Sequence, residues 1–291
     1  MTDQAIERQA AHHTFVATGG WFAYFRAFFS HTVTMLIRRK RTILAGVFAM
    51  LPVLIPLFLT FLPQDVATYP GNKLFVQLTE RFYLIAISPL LGLFFGCMLV
   101  GEDVEVQAIQ SILVRPAPRF AIVLGRFAAY TVVSSGLLLP PLCLVFVACT
   151  TLGGISISPE GLGLLAHYLA VCVMSLMGYG AFCLFLGATA RWPIIIGIAA
   201  IFGWQRLALL VPGLIDFITV EKYIRSMLPL LATEREKVTA QIAMMTYEKD
   251  ELLLSPLKAA ASLSVIILIL LLASAFALRW REYTSAKSIA S

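Results

Sequence analysis

Six long apolar runs constrain this 291-residue chain more than any other feature: Ile43–Leu62, Phe82–Val100, Phe120–Cys149, Leu164–Thr189, Pro193–Ile215 and Leu257–Leu278. A helix needs about 20 apolar residues to cross the hydrocarbon core of a bilayer. A soluble domain has no interior large enough to hide six such segments. Composition agrees: 59% of residues are hydrophobic and 13% charged, where a soluble domain carries roughly a quarter charged residues. Mean hydropathy is +0.87. The expected fold is all-α, a polytopic membrane protein with six transmembrane helices. The third run is over-long and holds Pro140-Pro141; it either breaks there or starts nearer Phe127. Prolines inside spans, such as Pro52, Pro56 and Pro89, are tolerated because neighbouring helices re-satisfy the freed carbonyls.

Basic flanks set the orientation. With the N-terminus inside, segments 1–42, 101–119, 190–192 and 279–291 hold 6, 2, 1 and 3 Lys and Arg, and the outside segments 63–81, 150–163 and 216–256 hold 2, 0 and 5. The cluster Arg38-Arg39-Lys40-Arg41 abuts the first run. The five outer basic residues share a long loop with seven acids, and long loops weigh less. Both termini are therefore placed in the cytoplasm. This divides the chain into an N-terminal segment 1–42, a transmembrane domain 43–278 and a tail 279–291. The first long apolar run starts only at Ile43, so no cleavable signal peptide is expected and that run serves as the insertion signal.

Residues 20–40 have helical periodicity. Trp21, Phe22, Phe25, Phe28, Phe29, Val33, Leu36 and Ile37 recur on one side, with Arg26, Ser30, His31, Thr34 and Arg38 mostly on the other. An aromatic face with basic flanks predicts a helix lying in the membrane interface against lipid; the alternative is a helix packed on a soluble partner. Loop 216–256 mixes apolar residues with charges. It is expected to be partly helical on the outer face, with part of it dipping back into the membrane.

The net charge of +6 is explained by these flanks, and no nucleic-acid motif accompanies it. Cys97, Cys143, Cys149, Cys172 and Cys183 lie inside apolar runs without a CxxC pair and read as small core residues, not a metal site. His12, His13, His31 and His167 are scattered.

The segment between the second and third runs, GEDVEVQAIQSILVRPAPRFAIVLGR, carries the clearest functional signal. Glu102, Asp103 and Glu105 suit the first turn of a helix, where acids oppose the positive dipole end. Ile109, Ile112 and Leu113 form an apolar stripe. Arg115-Pro116-Ala117-Pro118-Arg119 ends it, since the residue before a proline avoids helical geometry. The prediction is a short amphipathic helix within 101–119, shaped to dock in a groove on a cytoplasmic partner. An ordinary loop with topogenic arginines is the plainer reading.

This segment resembles the membrane permeases of type-2 ABC exporters. Those proteins follow the second span with an acidic cluster, a short coupling helix, a Pro-x-x-Arg turn and a Gly-Lys seven residues past the arginine. Pro116-Ala117-Pro118-Arg119 matches the turn and Gly125-Arg126 the Gly-Lys position. Asp103 and Glu105 fall at the acidic positions, with Glu102 the counterpart if one residue is inserted. Gln107-Ala108 departs from the Gly-Thr usual within the helix. The resemblance implies a permease subunit, no enzyme itself, coupled through Glu102, Asp103, Glu105, Arg115, Pro116 and Arg119 to a separate cytoplasmic ATPase in two copies, on which ATP and Mg bind. It further implies a second permease copy, the same chain or a paralogue. In agreement, the sequence has no GxxxxGK[ST] phosphate loop.

Two further cations need placing. Arg126, a few residues into the third run, is expected to snorkel to the interface. Arg206, fourteen residues into the fifth, either lines a pathway or reaches the outer interface if the span ends near Trp204. Rival functions leave other traces. Intramembrane proteases need Gly-x-Ser-Gly with a later histidine, paired intramembrane aspartates, or HExxH, and these are absent. Ion-driven carriers usually place acids within spans, whereas every Asp and Glu here is assigned to a flank or loop. An ion-coupled carrier and an assembly protein remain the alternatives.

Overall fold

A computed structural model describes residues 21–61, 71–99, 119–152, 157–205, 219–228, 239–242, 245–248 and 254–289. Its helices in chain order are α1 (Trp21–Ile37), α2 (Lys40–Thr60), α3 (Gly71–Gly96), α4 (Arg119–Thr151), α5 (Pro159–Thr189), α6 (Pro193–Trp204), α7 (Val220–Met227) and α8 (Pro256–Ile289). The other regular element is a short antiparallel hairpin, β1 (Thr239–Ile242) with β2 (Met245–Glu248), registered Thr239 to Glu248.

Five segments, in α2, α3, α4, α5 and α8, are long and apolar enough to cross a membrane. Of the fifth apolar run, the described part forms α6; residues 206–215 lie outside the described ones. Helix α4 is continuous through Pro140 and Pro141 and spans 33 residues, so it neither breaks nor starts late. Helix α8 runs on to Ile289, joining the expected tail to the last span.

Local chemistry explains the boundaries. Ser158 is in extended conformation and its hydroxyl accepts from the Gly161 N–H at 3.3 Å, with Pro159 at the first helical position and Glu160 in the first turn; each favours a helix start. At the other end Ala190 is extended, and Pro193 keeps Trp192 out of helical geometry, which makes the α5–α6 corner. In α2, Pro52 has no N–H to give, and the helix tightens into a 3₁₀ turn at Leu51–Val53. The Tyr83 hydroxyl donates to the Ala49 carbonyl at 3.1 Å, supplying a neighbour's rescue of a proline-disturbed helix. Tyr83→Phe is therefore expected to cost about 0.6–1.7 kcal/mol, the range for hydrogen bonds between membrane helices, read as a lower midpoint in a reversible denaturation titration.

Helices α3 and α5 form the packed centre and run parallel. Ser88 meets Ser175 through their hydroxyls at 2.9 Å, a Cβ on Gly92 would stand 3.0 Å from Tyr179 Cβ, and one on Gly96 would stand 2.8 Å from Cys183 Cβ. Each pair is 87 residues apart, so the two helices advance in step. Gly187 continues the seam, its added Cβ falling 2.6 Å from the Cys97 carbonyl oxygen. Small residues let membrane helices approach closely and replace the hydrophobic drive that lipid removes. Helix α4 lies across this pair, with Tyr130 donating to the Leu176 carbonyl at 3.1 Å beside Gly180. At the opposite end Phe75 packs edge-on against Phe146 and Tyr168, with centroids 5.4 and 5.5 Å apart. Cys97, Cys149, Cys172 and Cys183 are buried thiols of this core.

Helix α7 belongs to the loop expected to dip inward, and it is packed against α5 and α8. Gly178 faces Val220, and His167 bonds the Met227 carbonyl at 2.7 Å through Nε2. A carbonyl only accepts, so Nε2 carries the proton. Helix α6 reaches the same level of α5 from the other side, where the Tyr179 hydroxyl donates to Gln205 Oε1 at 3.3 Å. Thus α6 and α7 both run antiparallel to α5, one ending and the other starting near Gly178-Tyr179.

Candidate functional site

The site is the end of the bundle where α1, the start of α4 and the end of α3 converge. These elements bracket residues 100–118. Helix α1 forms because its aromatic residues recur with helical spacing, and Trp21, Phe25 and Phe29 stack in sequence at centroid separations of 5.8 and 6.2 Å. It lies along α4 at Gly125. A Cβ there would come within 2.9 Å of the Phe25 carbonyl oxygen and 3.2 Å of Phe28 Cβ. Any larger residue at 125 would push α1 away.

Arg126 sits at the centre of this junction. It is buried, 8% exposed, and so does not snorkel as expected. Its guanidinium Nη1 donates to the Leu99 carbonyl at 2.5 Å, and its Cζ lies 5.9 Å from the centre of the Phe28 ring. The reason is geometric: α1 and the end of α3 cover the side chain before it can reach water, and between them they supply an acceptor and an aromatic face. A charge-assisted hydrogen bond contributes about 1.5–3 kcal/mol, and a desolvated cation–π contact as much as ~2. Arg126 therefore ties the last carbonyl before the bracketed segment to the first turns after it, and ties both to α1.

The α1–α2 corner stands at the same end. Thr42 Oγ1 donates to the Leu36 carbonyl across the corner, and Arg41 Nη1 contacts Met98 Sδ at 2.9 Å. The starts of α2 and α4 and the end of α3 are thus together, as antiparallel packing of consecutive spans requires.

Of the coupling residues, Glu102, Asp103, Glu105, Arg115 and Pro116 lie outside the described residues, as does Arg206. Arg119 is the first residue of α4. Among the described residues, no group of three or more His, Cys, Asp or Glu could hold a metal ion.

Glu80 also departs from its expected place. Hydropathy puts it in a flank, but α3 starts at Gly71, so Glu80 is ten residues into a candidate span. The Glu80-Arg81 pair, close to Gln77, interrupts the apolar run and hides the helix. A signal was available: Leu74, Phe75, Val76 and Leu78 precede the pair and are all buried. Glu80 lies in the first turn of the π-helical stretch Thr79–Ile87, a distortion frequent at functional sites. Its Oε1 is buried.

The bundle and this junction define a class: the chain is a multi-pass helical membrane protein. No family model and no curated protein matches the sequence.

Proposed function

We propose that the chain is the permease subunit of a type-2 ABC exporter in the cell membrane, driven by a separate cytoplasmic ATPase that binds residues 101–119. The observation that supports this reading is the Arg126 junction. A segment that receives a push must be fastened at both ends to long helices, and the Leu99–Arg126 bond fastens this one to α3 and α4. In this reading the junction faces the cytoplasm with both termini, α1 lies in the interface, and α6 with α7 forms a sixth, broken crossing. Two copies, or one with a paralogue, form the path. ATP and Mg act on the partner; this chain supplies acidic contacts at Glu102, Asp103 and Glu105, basic ones at Arg115 and Arg119, and the turn at Pro116.

The test is reconstitution in proteoliposomes with an added phosphate-loop ATPase subunit. Alanine at Glu102, Asp103 and Glu105, or Arg115→Glu with Arg119→Glu, is expected to leave the permease inserted. ATPase binding weakens at least about tenfold, the equivalent of ~1.4 kcal/mol, and ATP-driven transport falls with it. Normal binding and transport in these variants refute the assignment.

Glu80 favours a second reading, an ion-coupled carrier, because an acid within a span is a functional candidate by default. Under that reading proteoliposomes transport with an ion gradient and no ATPase, and Glu80→Gln stops them.

A further inference from the structure

The α1–α2 corner combines two features that no coupling role requires. Arg38, Arg39, Lys40 and Arg41 turn the corner in succession; Arg38, Lys40 and Arg41 are exposed and Arg39 half-buried. Neither α1 nor α2 contains a carboxylate, so the cluster has no acid on its own helices. Arg39 precedes α2 in extended geometry (φ −81°, ψ 135°).

The second feature lies directly beneath. Ile43, Leu44 and Val47 are 69%, 70% and 59% exposed, and Ile37 at the end of α1 is also exposed. Only 22% of the apolar window of α2 is buried, against 61% for α3 and α5. The corner itself is held in shape by the Thr42–Leu36 bond and by Arg41 against Met98. Exposed cations therefore stand at one end of an open apolar face.

We infer that this corner binds an anionic phospholipid, its headgroup between Arg38 and Lys40 and its acyl chains along Ile43, Leu44 and Val47. Charge and length select the ligand. Clustered Lys and Arg beside a membrane helix attract anionic headgroups, and the apolar face below the cluster suits acyl chains, not a small soluble anion. The inference needs only that α2 spans the membrane, so it stands or falls separately from the ATPase reading.

Native mass spectrometry of the full chain, released from mixed phosphatidylglycerol and phosphatidylcholine nanodiscs, tests it. Wild type is expected to retain phosphatidylglycerol in preference. Arg38→Gln with Lys40→Gln keeps Arg39 and Arg41 for orientation. It should lower that preference about 25-fold, since each basic residue near an anionic surface contributes a factor of about five. Arg191→Gln with Lys258→Gln removes the same charge from two other exposed sites and should leave the preference intact. Equal loss in both double variants overturns the site, because bulk charge then explains retention. So does a wild-type spectrum showing no lipid preference, a dimer that carries no lipid, or displacement of the lipid by inorganic phosphate at millimolar concentration.

Discussion

Gly180→Ala is expected to be the most damaging single methyl among the described glycines. A Cβ at this position would overlap the Tyr130 ring. Tyr130 cannot step aside: it is fully buried, and its hydroxyl is held by the Leu176 carbonyl. Overpacking a tight core costs about 1–3 kcal/mol and occasionally more, and here helix separation must change to admit the methyl group. Fluorescence-detected size exclusion after heating should show Gly180→Ala melting well below wild type and Gly180→Leu failing to give a monodisperse peak. Tyr130→Ala in the Gly180→Ala background should recover part of the loss, because the two changes share one contact. An unshifted Gly180→Ala melting curve would mean that α4 and α5 do not meet there.

Arg126 carries the second large effect. Arg126→Met keeps most of the length but leaves the Leu99 carbonyl without its guanidinium donor and removes the cation from the Phe28 face. Adding the hydrogen-bond and cation–π contributions gives a loss of roughly 2–5 kcal/mol. Arg126→Lys should fall between, since an ammonium keeps the charge but not the planar fork that stacks on a ring. Hydrogen–deuterium exchange locates the damage: peptides from α1 and from the end of α3 should gain exchange together in Arg126→Met. Phe28→Leu should loosen α1 and spare the end of α3. A gain confined to one of the two in Arg126→Met would show that the residue does not join them.

How much of this could be read from the sequence depends on where side chains point. Hydropathy marks α2, α4, α5 and α8 because their apolar runs are unbroken, and Leu257–Leu278 locates the last span almost to the residue. It shortens α3, because Glu80 and Arg81 are charged whether they face lipid, protein or water, and only packing says which. Side-chain direction decides Arg126 too. Its position near a span end fits snorkelling, and only the approach of α1 at Gly125, a tertiary contact, turns it inward. The aromatic period of residues 20–40 does predict α1. That the same aromatic residues would provide the ring for Arg126 is a matter of helix placement, which periodicity does not contain.

The step between α3 and α5 has a mechanical consequence. Ser88 with Ser175, Gly92 with Tyr179 and Gly96 with Cys183 mesh like teeth on two parallel racks. Sliding one helix past the other would drive Cβ atoms and backbone into gaps that exist only because glycine stands there. The pair is thus a single stiff strut. A displacement delivered at Leu99 would then move both helices together, as far as the end where Phe75 packs against Tyr168.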